Sequence, residues 1–462
     1  DIQNMLMGVR FAVFPTDEQR LILSQWLGCA RVIWNAKCDE HKYYSTYAAK
    51  YMPVGTYAPI DQKYSQYKDK ELTPWLSKCP SQILRNSAVN WYKTMQNFLK
   101  GQCGKPQRKK KHDNLSLHLT RELFEFRRDE DGVERLYIGT KKNNIGSLEF
   151  LVHCPYGIPN SIRIKKSNGK YWVSFCYEDH IDEKELLNQE QHLRQLREYT
   201  QSQLERLVEA VDRGVVKPAQ TTQQTFDFNP GQKKHLHQTD RKKKHQQKAL
   251  RRGKKGSKRR EKRKRRISKC YEKQANIRKD FNHKTSKALV KNAQVIIFED
   301  LKTKQMTKRA KPKQDEETGR YLPNKAKAKS GLNRKILSVG WHQLETFTKY
   351  KAHRANKIVF KINPSYSSQE CADCHHTSPD NRESQESFVC KECGHTSNAD
   401  LNAARVLKKR AIKAILYSGT ELSKRGVLHI PREDTGRGAC DKASSVEGVG
   451  CEALKKTIAA AI

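Results

Sequence analysis

Residues 364–405 read PSYSSQECADCHHTSPDNRESQESFVCKECGHTSNADLNAAR. They hold two Cys-x-x-Cys pairs, Cys371/Cys374 and Cys390/Cys393, with the fifteen residues 375–389 between them. Paired thiolates at this spacing converge on one tetrahedral ion, so the stretch reads as a structural zinc ribbon. Two disulfides or four unrelated thiols are the plain alternative, and the regular spacing weighs against it. Seven residues past the last of these cysteines comes Asp400, followed by Leu401-Asn402-Ala403-Ala404-Arg405, whose small and apolar residues suit a helix packed on a core. A carboxylate there is either an ordinary helix cap or a firmly held functional group, and spacing alone leaves both readings open.

Around this stretch lies a strongly cationic chain. Its 462 residues carry 91 Lys plus Arg against 50 Asp plus Glu, a formal charge of +41. A folded protein so charged repels itself unless a polyanion neutralises it, and nucleic acid is the obvious candidate. A membrane surface is the rival, but no apolar run approaches the roughly 18 residues of a spanning helix and no secretory signal opens the chain. Hydrophobic content of 36% and a mean hydropathy of −0.90 place much of the chain on solvated or ligand-facing surface. Thirteen cysteines, nine of them scattered outside the ribbon, suit a reducing compartment, and a cytoplasmic location is expected. The length suggests three or four units at about 150 residues per domain.

The opening segment 8–14, GVRFAVF, alternates like a half-buried strand and stops at Pro15. Thr16 and Gln19 have capping-box spacing, and Ile22, Trp26, Cys29/Ala30 and Ile33 then recur at helical intervals. A second helical stripe runs through Leu84, Ala88, Trp91, Met95 and Phe98. From Leu115 the period changes to two, with hairpins turning at Asp131-Gly132 and Asn168-Gly169. These strands and the first are expected to close one barrel, from which the helices form an excursion. Residues 182–205 read as a connecting helix, LVEAVDRGVV as an apolar strand carrying Asp212, and QVIIF as a buried strand ending at Glu299-Asp300. Residues 303–330 look loose, 332–356 helical, and 357–362 a strand.

Residues 241–270 contain eighteen Lys or Arg against the single acid Glu261. A disordered basic arm or localisation signal is one reading. The run leads into a helix-compatible stretch free of Pro and Gly, which favours a basic helical pair with one face on phosphates.

Asp212 in a strand, Glu299 at the end of another and Asp400 at a helix start share one kind of setting. Magnesium is hard, keeps several waters and is held by a few carboxylates from separate elements plus phosphate oxygens. Spacing does not show that these three of the fifty acids meet.

The order VDRGV, VIIFEDL, then the CxxC knuckles followed by NADLNAAR, over residues 207–410, resembles the RuvC-like nuclease of transposon-encoded TnpB proteins and their relatives, the miniature type V CRISPR effectors. LGCARVIWN at residues 27–35 resembles the family's N-terminal part. The resemblance implies a multidomain α+β and α/β protein: an RNase H-like (RuvC) nuclease with an inserted zinc ribbon, a β-barrel wedge domain and a helical recognition lobe. It places the wedge at residues 1–15 and 108–182, the recognition domain at 16–107 and a linker helix at 183–206. The nuclease follows at 207–363 and 400–425, with a basic helical segment at 233–290. The ribbon takes 364–399, and 426–462 is expected to be a disordered tail. It further implies Asp212, Glu299 and Asp400 as a catalytic triad holding two magnesium ions, and structural zinc on Cys371, Cys374, Cys390 and Cys393. Ala210 departs from the pattern, since many relatives have Gly two residues before the first acid.

The activity implied is RNA-guided cleavage of DNA beside a short flanking motif by a monomer. Its partners would be guide RNA and double-stranded target DNA, with an RNA–DNA hybrid gripped by its backbone. Two rivals remain: a guided DNA-binding repressor or transposition accessory without cleavage, and an unguided transposase or resolvase on the same fold. Copurifying RNA of defined size separates them.

Overall fold

A computed structural model describes residues 4–53, 58–111, 115–182, 186–384 and 386–431. The chain divides into two compact units, residues 1–184 and 185–462.

In the first unit, strand Asn4–Val13 pairs antiparallel with the long strand Lys170–Asp182. Ser161–Ser167 and then Ser116–Thr120 extend that sheet on one side, and Phe150–Leu151 on the other. The hairpin between 161–167 and 170–182 turns on Asn168 and Gly169, with φ of 51° and 80°, the pair of left-handed residues that a tight two-residue turn demands. Strands Phe124–Arg128, Glu134–Gly139 and Asn144–Leu148 form a separate antiparallel sheet. The single expected barrel is thus two sheets with one shared core, in which Phe11, Ile162 and Phe175 of one meet Leu136, Ile138 and Leu148 of the other.

Helix Asp17–Tyr43 starts at a complete capping box: Gln19 N–H donates to Thr16 Oγ1 at 3.3 Å and Thr16 N–H to Gln19 Oε1 at 3.0 Å. The Gln19 amide also donates to the Ile145 and Ser147 carbonyls, which ties the helix to the second sheet. Of its expected stripe, Trp26, Cys29, Ala30 and Ile33 are buried and Ile22 is half-buried beside a buried Leu23; in helix Ser81–Leu99, Leu84, Ala88, Trp91 and Met95 are buried and Phe98 is half-buried.

The second unit is built on a three-stranded parallel sheet, Ile358–Ile362 beside Val295–Glu299 beside Val208–Val211. Apart from Glu209, Glu299 and Lys361 these strands are apolar, because both faces are covered. Ala210, Val295, Ile297 and Phe360 pack on Leu407, Ala411 and Ile415 of helix Ala399–Leu416. Val211, Ile296, Phe298 and Val359 face the opposite way, toward Leu289, Leu344 and Ala352 of helices Lys258–Asn292 and Trp341–Arg354. Each of the Val, Leu, Ile and Phe side chains among them contributes about 1.5–3 kcal/mol of burial.

The basic run is two long helices, Pro230–Arg251 and Lys258–Asn292, packed side by side. Asn229 and Ser257 cap them, and among residues 241–270 only Ile267 is buried. The expected linker helix is two short ones, Gln189–Leu196 and Gln201–Leu207. Residues 303–330 are more ordered than expected, holding a small hairpin of Lys313–Gln314 with Tyr321–Leu322 and the start of helix Ala326–Val339. The helical region 332–356 breaks at Gly340, whose φ of 84° divides Ala326–Val339 from Trp341–Arg354.

Residues 426–431 were expected in a frayed tail, and they are instead paired. Leu428–His429 bonds to Glu421–Leu422, and Leu428 is buried in the sheet's core. The remainder of that expected tail, 432–462, lies outside the described residues.

Candidate metal and nucleic-acid site

The parallel register decides where two of the acids sit. Val211 lies across from Phe298, so Asp212, one residue beyond its strand, and Glu299, the last residue of its own, leave the sheet at the same edge. Asp212 is fixed by a reciprocal backbone bridge to Gln220, at 2.9 and 2.8 Å. The turn that follows needs Gly214, since a Cβ there would lie 2.6 Å from the Lys217 carbonyl oxygen.

Asp400 is the second residue of helix Ala399–Leu416, and its N–H and that of Leu401 donate to the capping side chain of Asn398. The helix is bolted to the ribbon. Buried Asn402 accepts from the Ala372 N–H at 3.0 Å and donates to the Glu370 carbonyl at 2.7 Å, and Lys409 donates to the Ala372 carbonyl.

The three acids share one electrostatic environment. Burial, and then the charges of Glu299 and Asp400, push Asp212 well above the usual carboxylate range against the pull of Arg382 and Arg213. Burial raises Glu299, with Arg213 opposing. Burial also raises Asp400, with Arg382 and Lys217 opposing. Carboxylates in this state are short of positive charge, and a hard divalent cation is the kind of partner that would relieve them. The three are more loosely gathered than the ribbon thiols. Among the described residues, those thiols are the one group of three or more ligating side chains whose donor atoms all lie within 4.8 Å of one another.

Three residues that sequence reasoning missed frame this cluster. Arg213 N–H donates to Glu299 Oε2 at 3.0 Å, and its guanidinium donates to the Glu299 carbonyl and lies 3.3 Å from Glu345 Oε2. Glu345 also takes Lys349 at 2.9 Å and Lys361 at 2.7 Å. Burial alone would raise it, yet these lysines and Arg213 hold it down to about 2. Arg382, from the ribbon, lies 3.4 Å from Asp400 Oδ1. Adjacency to Asp212 in VDRGV was the only available signal for Arg213; Glu345 and Arg382 carry none.

The ribbon cysteines converge as their spacing predicts. Cys371 and Cys393 sulfurs stand 3.7 Å apart and those of Cys374 and Cys390 3.6 Å apart, across the two knuckles. Each knuckle turns on a left-handed residue after its second cysteine, His375 at φ 62° and Gly394 at φ 72°. Four sulfurs so placed, with no disulfide among them, form a cluster able to hold zinc.

Residues 341–407 match the family described as "Cas12f1-like, TNB domain", residues 181–310 one described as "Probable transposase" (OrfB_IS605), and residues 5–44 its "Helix-turn-helix domain". That last segment is here one strand and one helix. InsQ of Escherichia coli K12, whose name is that of an RNA-guided DNA endonuclease, is 28% identical over 87% of this chain and 91% of its own length. The CRISPR-associated endodeoxyribonuclease Cas12f1 of Sulfoacidibacillus thermotolerans is 43% identical over a shorter region, 14% of this chain and 15% of its own. A solved complex of Cas12f1 with single-guide RNA and target DNA aligns over 85% of this chain and 83% of that one, at 12% identity and a TM-score of 0.49. In its ordered motifs, its thiol cluster and these relatives, the chain is similar to the TnpB-like proteins encoded by transposons and to the miniature type V CRISPR effectors.

Proposed function

We propose that the chain is an RNA-guided DNA endonuclease that cuts target DNA beside a short flanking motif, using magnesium held by Asp212, Glu299 and Asp400. The observation that carries this is the shared edge of the parallel sheet. There two acids emerge in register, and a third, on a helix bolted to the ribbon, is near enough to raise the first. The donor set fits the ion, being hard oxygens already short of positive charge. Bound magnesium supplies Lewis-acid polarisation of the scissile phosphate and an attacking water of lowered pKa.

The chain's own residues do the rest. Asp212 and Asp400 flank the metal position and Glu299 completes it, while the Arg213 N–H holds Glu299 Oε2 in place. In this reading the parallel sheet and its helices are an RNase H-like nuclease at 207–363 and 400–425, and 364–399 is a zinc ribbon on target nucleic acid. The two sheets of the first unit are a wedge domain, and residues 16–107 are a recognition domain gripping guide RNA and hybrid. The exposed cations of 241–270 lie along phosphates, which accounts for the charge of +41. No described helix is long and apolar enough to cross a membrane.

The test is Asp212→Ala in a guide-reconstituted monomer. Cutting should vanish while guided target binding persists, and undiminished cutting removes the triad from this reading.

A further inference from the structure

A cavity of about 360 Å³ in the first unit, between helices Asp17–Tyr43 and Ser81–Leu99 and strand Ser116–Thr120, has a lining that the site above does not use. Arg31, Lys93, Lys109 and Arg163 all line it, and none of its lining residues is Asp or Glu. Among the described residues none of these four cations is paired with a carboxylate. They act on one another instead. Burial, then Arg163 and Lys93, pull His118 on the cavity wall down to about 4. Burial, opposed by Cys38 and deepened by Arg163, holds Lys109 near 8, where its ammonium stacks 3.4 Å over the Trp34 ring.

Such crowding costs stability in the free protein and is relieved by an anion. The polar frame is built as well. Asn90 Oδ1 accepts from Arg163 at 3.3 Å, and its amide donates to the Nδ1 of neutral His118 at 3.4 Å, so one side chain orients both groups. The lining also includes the apolar side chains of Leu27, Ile83 and Leu115.

Phosphate charge beside apolar side chains describes a nucleotide. A volume of 360 Å³ stands at the lower end of small-molecule pockets, about 300–1,000 Å³, and admits one nucleotide rather than a stacked pair. Four cations exceed what a single phosphodiester needs, which favours a nucleotide with flanking phosphates, inside a strand, over a free one.

We propose that this cavity binds one unstacked nucleotide of a single-stranded segment, with its phosphates on Arg31, Lys93 and Arg163 and its base against Leu27, Ile83 and Leu115. The proposal rests on the reading of the chain as a nucleic-acid enzyme, and it deepens that reading by naming where an extruded base goes.

The test uses the full chain freed of nucleic acid, labelled with limiting acetic anhydride at pH 8 and read by mass spectrometry. Lys109 and Lys351, both held near 8, are the lysines expected to react, and Lys351, in the other unit, serves as the control. A thymidine tetranucleotide should protect Lys109 and leave Lys351 reactive. An abasic tetramer of equal charge should need at least about fivefold more for the same protection. Arg163→Gln with Lys93→Gln should raise the half-protecting concentration about tenfold. Equal protection by the two oligomers, equal protection of the two lysines, or no protection of Lys109 each overturns the pocket. The measurement needs neither guide nor metal, so a failure of guided cutting leaves its result standing, and a failed pocket leaves the nuclease reading untouched.

Discussion

The Arg213 guanidinium lies 3.3 Å from Glu345 Oε2, with 2% of the Arg213 side chain exposed. A buried cation is tolerable only while its counter-charge stays, and the same Arg213 holds Glu299 through its backbone N–H. Glu345→Gln should therefore destabilise the fold by about 3 kcal/mol at pH 7 in urea melts. Glu345 is held below its ordinary range, so its contribution is fully present above the unfolded pKa of about 4.3 and is lost as pH falls toward about 2. The gap between wild type and variant should narrow across that window, and a gap independent of pH would show that Glu345 acts by packing alone.

Asp212 has the opposite sign. Its acid form is favoured in the fold, so its charge opposes folding at neutral pH when no cation is present. In EDTA at pH 7, Asp212→Asn should melt higher than wild type, and the difference should shrink as pH falls from neutrality and be gone below about 4. Adding magnesium should raise the wild-type melting temperature and leave that of the variant nearly unchanged. A variant that melts lower than wild type in EDTA would mean that Asp212 is a structural acid.

Cys371→Ser removes a buried thiol from the ribbon cluster. Bound zinc, measured by plasma mass spectrometry, should fall from one equivalent to near none, and amide exchange across 370–402 should quicken. Because Asn402 joins the ribbon to the helix of Asp400, cutting should fall as well. Unchanged zinc would remove the ribbon assignment.

Local signals in the chain were readable, and long-range ones were not. Cys371 to Cys393 could be read because the knuckles are short loops whose spacing is itself the geometry, and the box of Thr16 with Gln19 because a cap is completed within one turn. The edge shared by Asp212 and Glu299 needed the parallel register between segments some eighty residues apart, which periodicity does not specify. Glu345 stands in a helical stripe where an apolar residue would serve equally, so its ion pairs are invisible without the fold. The division of the first unit's strands into two sheets and the burial of Leu428 escaped for the same reason: pattern marks a strand, and packing chooses its partner.

The exposed cations of helix Lys258–Asn292 should set the salt dependence of RNA binding. Replacing Arg259, Lys262, Arg265 and Arg266 with Gln should lower the slope of log affinity against log salt by about 3, if each meets one phosphate. An unchanged slope would place the RNA elsewhere.

Manganese, a magnesium surrogate with usable anomalous scattering, tests the carboxylate site most directly. In crystals soaked with Mn(II) the account predicts anomalous density bonded to Asp212 together with Glu299 or Asp400, and its loss in Asp212→Asn. Density that avoids Asp212, or that survives the substitution, would contradict it.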